Sequence, residues 1–272
     1  MKSGIRLVLG LSVFAAAVNA VGCSSSDGGG PVAVAGTTGT TGGSGGSTGA
    51  TGGSGGGGTL PSGIPITPTN GWVNADSNMA MIQGALFTYA DDTTKMTLMD
   101  TIKAGMNCMS GTAAKVNKMC TPPAGMDCYG VTWGAAIGLN LNQPNVPDPA
   151  DPTMMMGGDP LPFDATKPGI TGFAFNISGD TVPTAANFRF LINDMANNQY
   201  CSPPAKGIKK GPNTFKLADL IEECWLATPK ATDLKGDTAA NNIVKIAWQV
   251  VTNDSATVPF NFCIDSIEAL TN

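Results

Sequence analysis

The sequence of 272 residues is 42% hydrophobic and only 13% charged, contains no histidine, and carries a net charge of −5. The lack of histidine excludes Ser–His and Cys–His nucleophile systems and removes the commonest zinc ligand. An acidic chain also lacks the clustered Lys and Arg of a nucleic-acid-binding protein, so we exclude that class of partner.

The N-terminal segment has the layout of a secretory signal. Lys2 and Arg6 precede an apolar run that is too short to span a bilayer and that ends in small residues before Cys23. This arrangement resembles the processing site of a bacterial lipoprotein, although such signals usually carry Leu, Val or Ile where this chain has Ala20. We therefore predict a signal peptide over residues 1–22, lipidation of Cys23 and display from the outer membrane or cell surface. The alternative is an ordinary secretory signal.

A low-complexity segment follows, so that residues 23–62 form the lipidated cysteine and a linker. It consists mainly of Gly, Ser, Thr and Ala, and its only charged residue is Asp27. Such a composition cannot bury enough apolar surface to offset the entropy of ordering. A coil of this length has an end-to-end distance of roughly 34 Å, enough to hold a domain away from a membrane surface. The remaining residues, 63–272, are long enough for one domain with one core.

The domain shows mainly the period-two alternation of half-buried strands. A Pro-rich stretch over residues 144–162 indicates a long surface loop, and helical spacing over 214–225 predicts one short helix. The predicted strands are residues 79–89, 112–116, 131–141, 173–177, 188–192, 244–250 and 262–270. These elements predict an all-β fold, an antiparallel β-sandwich or jelly roll with one short helix.

Seven cysteines remain to be assigned, and lipidation of one leaves six. An even number in an exported chain indicates three disulfides, for which fifteen pairings are open. A thiolate metal site is the alternative, but no Cys-x-x-Cys spacing is present. Sequence separation favours Cys120–Cys128 and Cys201–Cys224, which leaves Cys108 for Cys263.

Three segments of the predicted strands together resemble the galactose-binding-like jelly roll. They are IQGALFTYAD at residues 82–91, ITGFAFNI at 170–177 and PFNFCIDSI at 259–267. The resemblance implies a carbohydrate-binding module that holds a glycan on aromatic platforms with flanking amides and a few charges. Several members of this superfamily also hold a structural calcium. The resemblance therefore implies candidate calcium ligands, which are Asp76, Asp91, Asp92 and Asp265.

The candidate ligand-binding residues are an aromatic side chain and outward polar side chains of the predicted strands. Small residues after Trp133 leave room for a sugar beside its ring, but the alternation also allows Trp133 to pack the core with Ile137 and Leu139. The polar candidates belong to strands that could share one sheet face. The full set is Trp133, Asn140, Asn142, Asn176, Arg189 and Gln249.

Two other tryptophans are assigned to packing. Trp248 alternates with apolar residues and is predicted to lie in the core, and Trp225 directly follows Cys224, where we expect it to pack on a disulfide without a role in binding.

The leading hypothesis is a monomeric surface lipoprotein that binds a polysaccharide, expected to be neutral, without cleaving it and without a cofactor. The alternative is an adhesion or structural lipoprotein with a protein partner. An enzyme acting on glycans is the third hypothesis, because a pair of carboxylates can hydrolyse glycosidic bonds without histidine.

Overall fold

The structure, a computed structural model, describes residues 60–97, 107–123, 127–222, 224–225 and 234–272. These residues contain one α-helix, α1 (Cys128–Val131), and five 3-10 helices, at Ala75–Ser77, Ala185–Asn187, Pro204–Lys206, Leu217–Asp219 and Gly236–Ala239. The strands are β1 (Ile64–Pro65), β2 (Trp72–Val73), β3 (Gly84–Ala90), β4 (Lys95–Thr97), β5 (Asn107–Ala113), β6 (Gly134–Asn140), β7 (Asn145–Pro147), β8 (Met155–Gly157), β9 (Ile170–Thr181), β10 (Phe188–Asp194), β11 (Gln199–Cys201), β12 (Gly211–Lys216), β13 (Ile221–Glu222), β14 (Ile243–Val251) and β15 (Val258–Thr271).

The strands form two large sheets and a small hairpin. The six-stranded sheet has the order β12-β9-β15-β5-β4, with β1 paired to the C-terminal part of β15. The seven-stranded sheet has the order β13-β11-β10-β14-β6-β3-β2, and β7 pairs with β8 alone. Every pairing between these strands is antiparallel. The prediction of an all-β antiparallel sandwich is confirmed.

Aromatic side chains from both sheets fill the core. Phe175 of β9 lies 5.3 Å from Phe190 of β10 and 5.4 Å from Trp248 of β14, measured between ring centroids. Phe215 of β12 stacks on Phe175 at 5.7 Å. All four side chains are buried, so the prediction that Trp248 lies in the core is confirmed. Because alternate residues of each strand face inward, this cluster joins the inner faces of the two sheets.

The helix predicted over residues 214–225 is wrong. Its first three residues, 214–216, belong to strand β12. A single 3-10 turn at Leu217–Asp219 and the short strand β13 follow. β12 pairs with β9, and inward Phe215 packs against Phe175. A short apolar run fits either period, and here the pairing with β9 and the contact across the core favour the strand. The α-helix of the described residues is instead α1.

Three disulfides connect the described cysteines, and they are the pairs that sequence separation favours. Cys108–Cys263 links the neighbouring strands β5 and β15, whose residues are 155 positions apart in sequence. Cys120–Cys128 and Cys201–Cys224 close loops with separations of 8 and 23 residues.

The signal peptide, Cys23 and the linker up to residue 59 lie outside the described residues. Within the described ranges, no helix is both long enough and apolar enough to cross a membrane.

Candidate functional site

The outer face of the seven-stranded sheet carries a row of side chains that the strand register brings together. Arg189 of β10 lies opposite Gln249 of β14, Gln249 lies opposite Ala136 of β6, and Ala136 lies opposite Tyr89 of β3. Residues directly opposite one another on neighbouring strands project to the same face. Their inward neighbours, such as Trp248 and Phe190, fill the core, so this row faces away from the core.

Aromatic side chains that are not buried gather on this face. Tyr89 stacks on Phe87 and also contacts Trp133, with 5.5 Å between ring centroids in both pairs. Trp72 lies opposite Ala85, which alternates in step with Phe87 and therefore points the same way. Among the aromatic residues that the structure describes, the complete set that is not buried is Trp72, Phe87, Tyr89, Tyr129, Trp133 and Trp225.

Gly138 gives the rings of β3 a flat surface. It lies opposite Phe87, and a Cβ atom at Gly138 would come within 2.8 Å of the Phe87 ring. The absence of a side chain there lets Phe87 lie across the neighbouring strand β6.

A turn of the backbone places Trp133 on the outer face. The alternation of β6 predicts that Trp133 shares a face with Ile137 and Leu139, and both of these are fully buried in the core. Gly134, however, has a φ of +112°, and a Cβ atom there would lie 2.0 Å from a backbone oxygen of Val250. Only glycine fits this conformation, which interrupts the alternation before β6 begins. The interpretation of Trp133 as a core residue is therefore wrong.

Asp91 holds this turn in place. Its carboxylate accepts hydrogen bonds from the Gly134 amide at 2.5 Å, the Thr93 amide and hydroxyl at 2.8 and 2.7 Å, and the Thr94 amide at 2.8 Å. Burial alone would raise the pKa of the Asp91 carboxyl, but the hydrogen bonds from Thr93, Gly134 and Thr94 outweigh it and hold the pKa below its usual value.

Replacing Asp91 with Asn is expected to lower the free energy of unfolding by about 2 kcal/mol at neutral pH, because charge-assisted hydrogen bonds to buried amides are lost. The folded state lowers the pKa of Asp91 below its value in the unfolded chain, about 3.9. The contribution of Asp91 to the free energy of unfolding is therefore fully present above that pH, and it is lost as the pH falls through the lowered pKa. Urea unfolding measured as a function of pH tests this. Asp92→Asn, at the exposed neighbouring position, is the control. Equal losses in the two variants would contradict the role of Asp91.

A cleft of about 790 Å³ opens over the row of Arg189, Gln249 and Tyr89. Two of its other aromatic lining residues lie in disulfide-linked segments. Cys120–Cys128 anchors the turn that carries Tyr129, and Cys201–Cys224 anchors Trp225. A small apolar cluster on the outer face consists of Leu191, Cys201, Ile221, Cys224 and Ala247.

Trp225 is 52% exposed and lines this cleft, so the expectation that it packs away on the disulfide is wrong. Tyr89, Tyr129 and Gln199 also line the cleft and were not among the candidates that the sequence indicated. The alternation of Phe87 and Tyr89 in β3 was a usable signal for Tyr89. The positions of Tyr129 and Trp225 depend on the disulfide-linked segments, for which the sequence has no periodic signal.

Arg189 is the cation of the cleft. Its guanidinium lies against the Cys201–Cys224 disulfide, with its NH1 nitrogen 3.9 Å from the sulfur of Cys201 and 3.5 Å from that of Cys224. In the part of the chain that the structure describes, no carboxylate forms an ion pair with Arg189. Desolvation by burial lowers the pKa of the guanidinium to about 10.

A second cation lies beside the aromatic row. The Nζ atom of Lys245 is 4.7 Å from the centroid of the Tyr89 ring, within the range of a cation–π contact. Burial lowers the pKa of Lys245 and raises that of Tyr89 to about 12. At neutral pH the tyrosine therefore keeps its hydroxyl proton, which it can donate.

Three of the six predicted ligand-binding residues, Trp133, Arg189 and Gln249, line the cleft. Asn140 lies on the same face, but it is buried and its amide donates to Oε1 of Gln143 at 2.9 Å. Asn142 donates to the carbonyl of Pro162 at 2.8 Å and so holds the loop after β6.

Asn176 belongs to the other sheet. It lies on β9, where its amide donates to Asp265 at 2.8 Å on the outer face of the six-stranded sheet. The prediction that Asn176 shares a face with Arg189 and Gln249 is therefore wrong. Period-two alternation identifies the outward side of each strand but does not assign the strand to a sheet.

The four aspartates nominated as calcium ligands do not form one cluster. The Asp91 carboxylate is used by the turn before β6, whereas that of Asp265 accepts hydrogen bonds from Asn176 and Ser178 on the other sheet. In the described ranges, no group of three or more Cys, Asp or Glu side chains could hold a metal ion, and Asp76 and Asp92 belong to no such group.

Comparison with known proteins finds no matching family model and no matching curated protein. Among solved structures, the chain is similar to PfGH50B, with 13% identity and a TM-score of 0.36 over 69% of this chain and 23% of that one. It is also similar to the Family 11 carbohydrate-binding module from Clostridium thermocellum, solved in complex with a β-1,3-1,4-mixed-linked tetrasaccharide, with 12% identity and a TM-score of 0.35 over 78% of this chain and 98% of that one. A third similar structure is an exo-β-agarase, with 15% identity and a TM-score of 0.30 over 78% of this chain and 25% of that one. The chain thus spans about a quarter of the length of PfGH50B and of the agarase.

Proposed function

We propose that the protein binds a polysaccharide in the cleft on the outer face of the seven-stranded sheet, without cleaving it. The observation that carries this proposal is the gathering of non-buried aromatic side chains. Tyr89, Tyr129, Trp133 and Trp225 line one cleft, and Phe87 stacks beside Tyr89. By contrast, none of the described residues on the outer face of the six-stranded sheet is an aromatic side chain left unburied.

The polar lining suits sugar hydroxyls. Gln249, Gln199 and Arg189 offer amide and guanidinium groups between the rings, and Tyr89 offers a protonated hydroxyl. Aromatic rings contribute apolar contact area, while the polar groups fix the orientation of the ligand. Each hydrogen bond to a hydroxyl replaces one to water with little net gain, so we expect dissociation constants of about micromolar to millimolar.

The number of carboxylates in the described lining of the cleft favours binding over hydrolysis. Glycoside hydrolysis uses two carboxyl groups on either side of the scissile bond. Among the described lining residues the carboxylate is Asp127, which caps α1 by accepting from the Gly130 amide at 2.7 Å.

Retardation of the purified protein in native gels tests the proposal. The gels contain neutral mixed-linkage β-glucan, glucomannan or agarose, or acidic polygalacturonate, alginate or carrageenan. We expect retardation by at least one of them and no release of reducing sugar from any. If no polysaccharide retards the protein, the proposal of glycan binding is contradicted, and release of reducing sugar would contradict the non-catalytic part.

We also propose, from the sequence alone, that Cys23 carries a lipid that anchors the protein to a membrane. Replacing Cys23 with Ala is expected to move most of the protein from the detergent phase to the aqueous phase, because the thiol that would carry the lipid is removed and the buried acyl chains supply the membrane affinity of an anchored protein. Phase partitioning of cell lysates measures this. A variant that stays in the detergent phase as the parent does would contradict lipidation at Cys23.

A further inference from the structure

Arg189 has donors that no other residue described by the structure accepts. Its guanidinium has five N–H groups, and the acceptors that the structure gives them are the sulfurs of Cys201 and Cys224, at 3.9 and 3.5 Å from NH1. Sulfur in this oxidation state is a weak acceptor. Arg189 is half-buried and lines the cleft that a ligand would occupy.

Arg189 is a half-buried cation for which the described residues provide no carboxylate partner. Removing a cation from water is costly unless an anion or hydrogen-bond acceptors compensate. The flat guanidinium matches a carboxylate with two parallel hydrogen bonds, and such charge-assisted pairs are stronger than bonds to neutral hydroxyls. A ligand that carries a carboxylate would satisfy Arg189 in a way that a neutral sugar does not.

The other charges of the face agree with an anionic ligand. Lys245 adds a second positive charge beside Tyr89, whereas the carboxylate of Asp127 is exposed and already accepts a hydrogen bond from Gly130. The Tyr89 ring that this Nζ atom contacts belongs to β3, and Arg189 belongs to β10, three strands away and about 14 Å across the sheet. The two cations are therefore separated across the strands, as contacts to different charged units of one chain require.

We propose that the ligand of this cleft is an anionic glycan, and that a carboxylate on one of its sugars binds the guanidinium of Arg189. This inference rests on the proposed polysaccharide binding and narrows its ligand class. It replaces the expectation of a neutral glycan, which came from the jelly-roll resemblance together with the many amide and hydroxyl side chains of the sequence. A sulfate ester offers similar acceptor oxygens, and the experiment separates the two anions.

Affinity measurements with defined polysaccharides test the inference. We expect the purified protein to bind polygalacturonate or alginate more tightly than neutral β-glucan, and Arg189→Gln to weaken binding to the acidic polymer about 10- to 100-fold. Arg189→Lys keeps the charge but loses the planar fork, so we expect it to recover only part of the affinity. Lys216→Gln, which removes an exposed charge from the six-stranded sheet, is the matched control and is expected to bind as the parent does.

The ionic-strength dependence of the parent protein gives a readout that does not depend on the folding of a variant. Raising NaCl from about 50 mM to about 500 mM should weaken binding to the uronate polymer and leave binding to neutral glucan nearly unchanged. Equal affinity of parent and Arg189→Gln for every polymer, or tighter binding to neutral glucan, would overturn the inference and leave polysaccharide binding intact. Tighter binding to carrageenan than to polygalacturonate and alginate would contradict the proposal that Arg189 binds a carboxylate, and would indicate a sulfate ester in its place. Binding to no polymer would overturn the proposed function itself.

Discussion

Replacing Trp133 with Ala is expected to weaken polysaccharide binding by about 2 kcal/mol, roughly 30-fold in the dissociation constant, because a tryptophan at the centre of a binding surface is a typical hot spot. The ring contacts Tyr89 at 5.5 Å and lines the cleft, so its removal deletes contact area from the ligand and support from Tyr89. Isothermal titration with the polysaccharide that retards the parent most strongly in gels measures the change.

Trp72→Ala is the matched control for this variant. Trp72 is also half-buried and lies on the same sheet face, but it is at the edge strand β2, outside the lining of the cleft. Its indole Nε1 atom is buried and has no hydrogen-bond partner among the residues that the structure describes, so its removal breaks no hydrogen bond with them. We expect binding to remain within about two-fold of the parent. A loss in Trp72→Ala equal to that in Trp133→Ala would contradict the location of the site.

Replacing Phe175 with Ala is expected to lower the free energy of unfolding by about 3–5 kcal/mol. Phe175 is fully buried and contacts Phe190, Phe215 and Trp248, so the variant leaves a cavity between the two sheets. Since a domain is stable by about 5–15 kcal/mol in total, this single change removes a large share of the stability. Guanidinium unfolding monitored by tryptophan fluorescence measures it.

Phe87→Ala serves as the comparison for the core substitution. Phe87 is half-buried on the outer face, stacked on Tyr89 at 5.5 Å. A partly exposed ring leaves no enclosed cavity when it is removed, so we expect a loss of about 1 kcal/mol. If Phe87→Ala destabilises the protein as much as Phe175→Ala does, the assignment of the inner and outer faces of the seven-stranded sheet is contradicted.

The sandwich could be predicted because most of its strands keep strict alternation. In β14, Ile246, Trp248 and Val250 face the core while Lys245 and Gln249 face outward, as their spacing predicts. Sequence spacing cannot, however, separate a strand from a helix in a short apolar run. The segment that contains Phe215 takes its conformation from pairing with β9, which is far away in sequence.

The candidate site could be predicted only in part, for two physical reasons. Trp133 faces outward because Gly134 adopts a positive φ and Asp91 binds its amide, and neither effect is visible in the alternation of β6. Arg189 and Asn176 both lie outward on their strands, but the strands belong to different sheets. Sheet membership depends on long-range pairing, which a period-two pattern does not encode.

Mapping of a bound oligosaccharide by NMR tests the central claim most directly. The protein is labelled with ¹⁵N and titrated with the tetramer of galacturonic acid and, separately, with cellotetraose. We expect the largest shifts at the indole N–H of Trp133, the side-chain amide of Gln249 and the backbone around Arg189 and Tyr89. Shifts centred on Asn176 and Ser178, on the outer face of the six-stranded sheet, would contradict the claim that the aromatic cleft is the glycan-binding site.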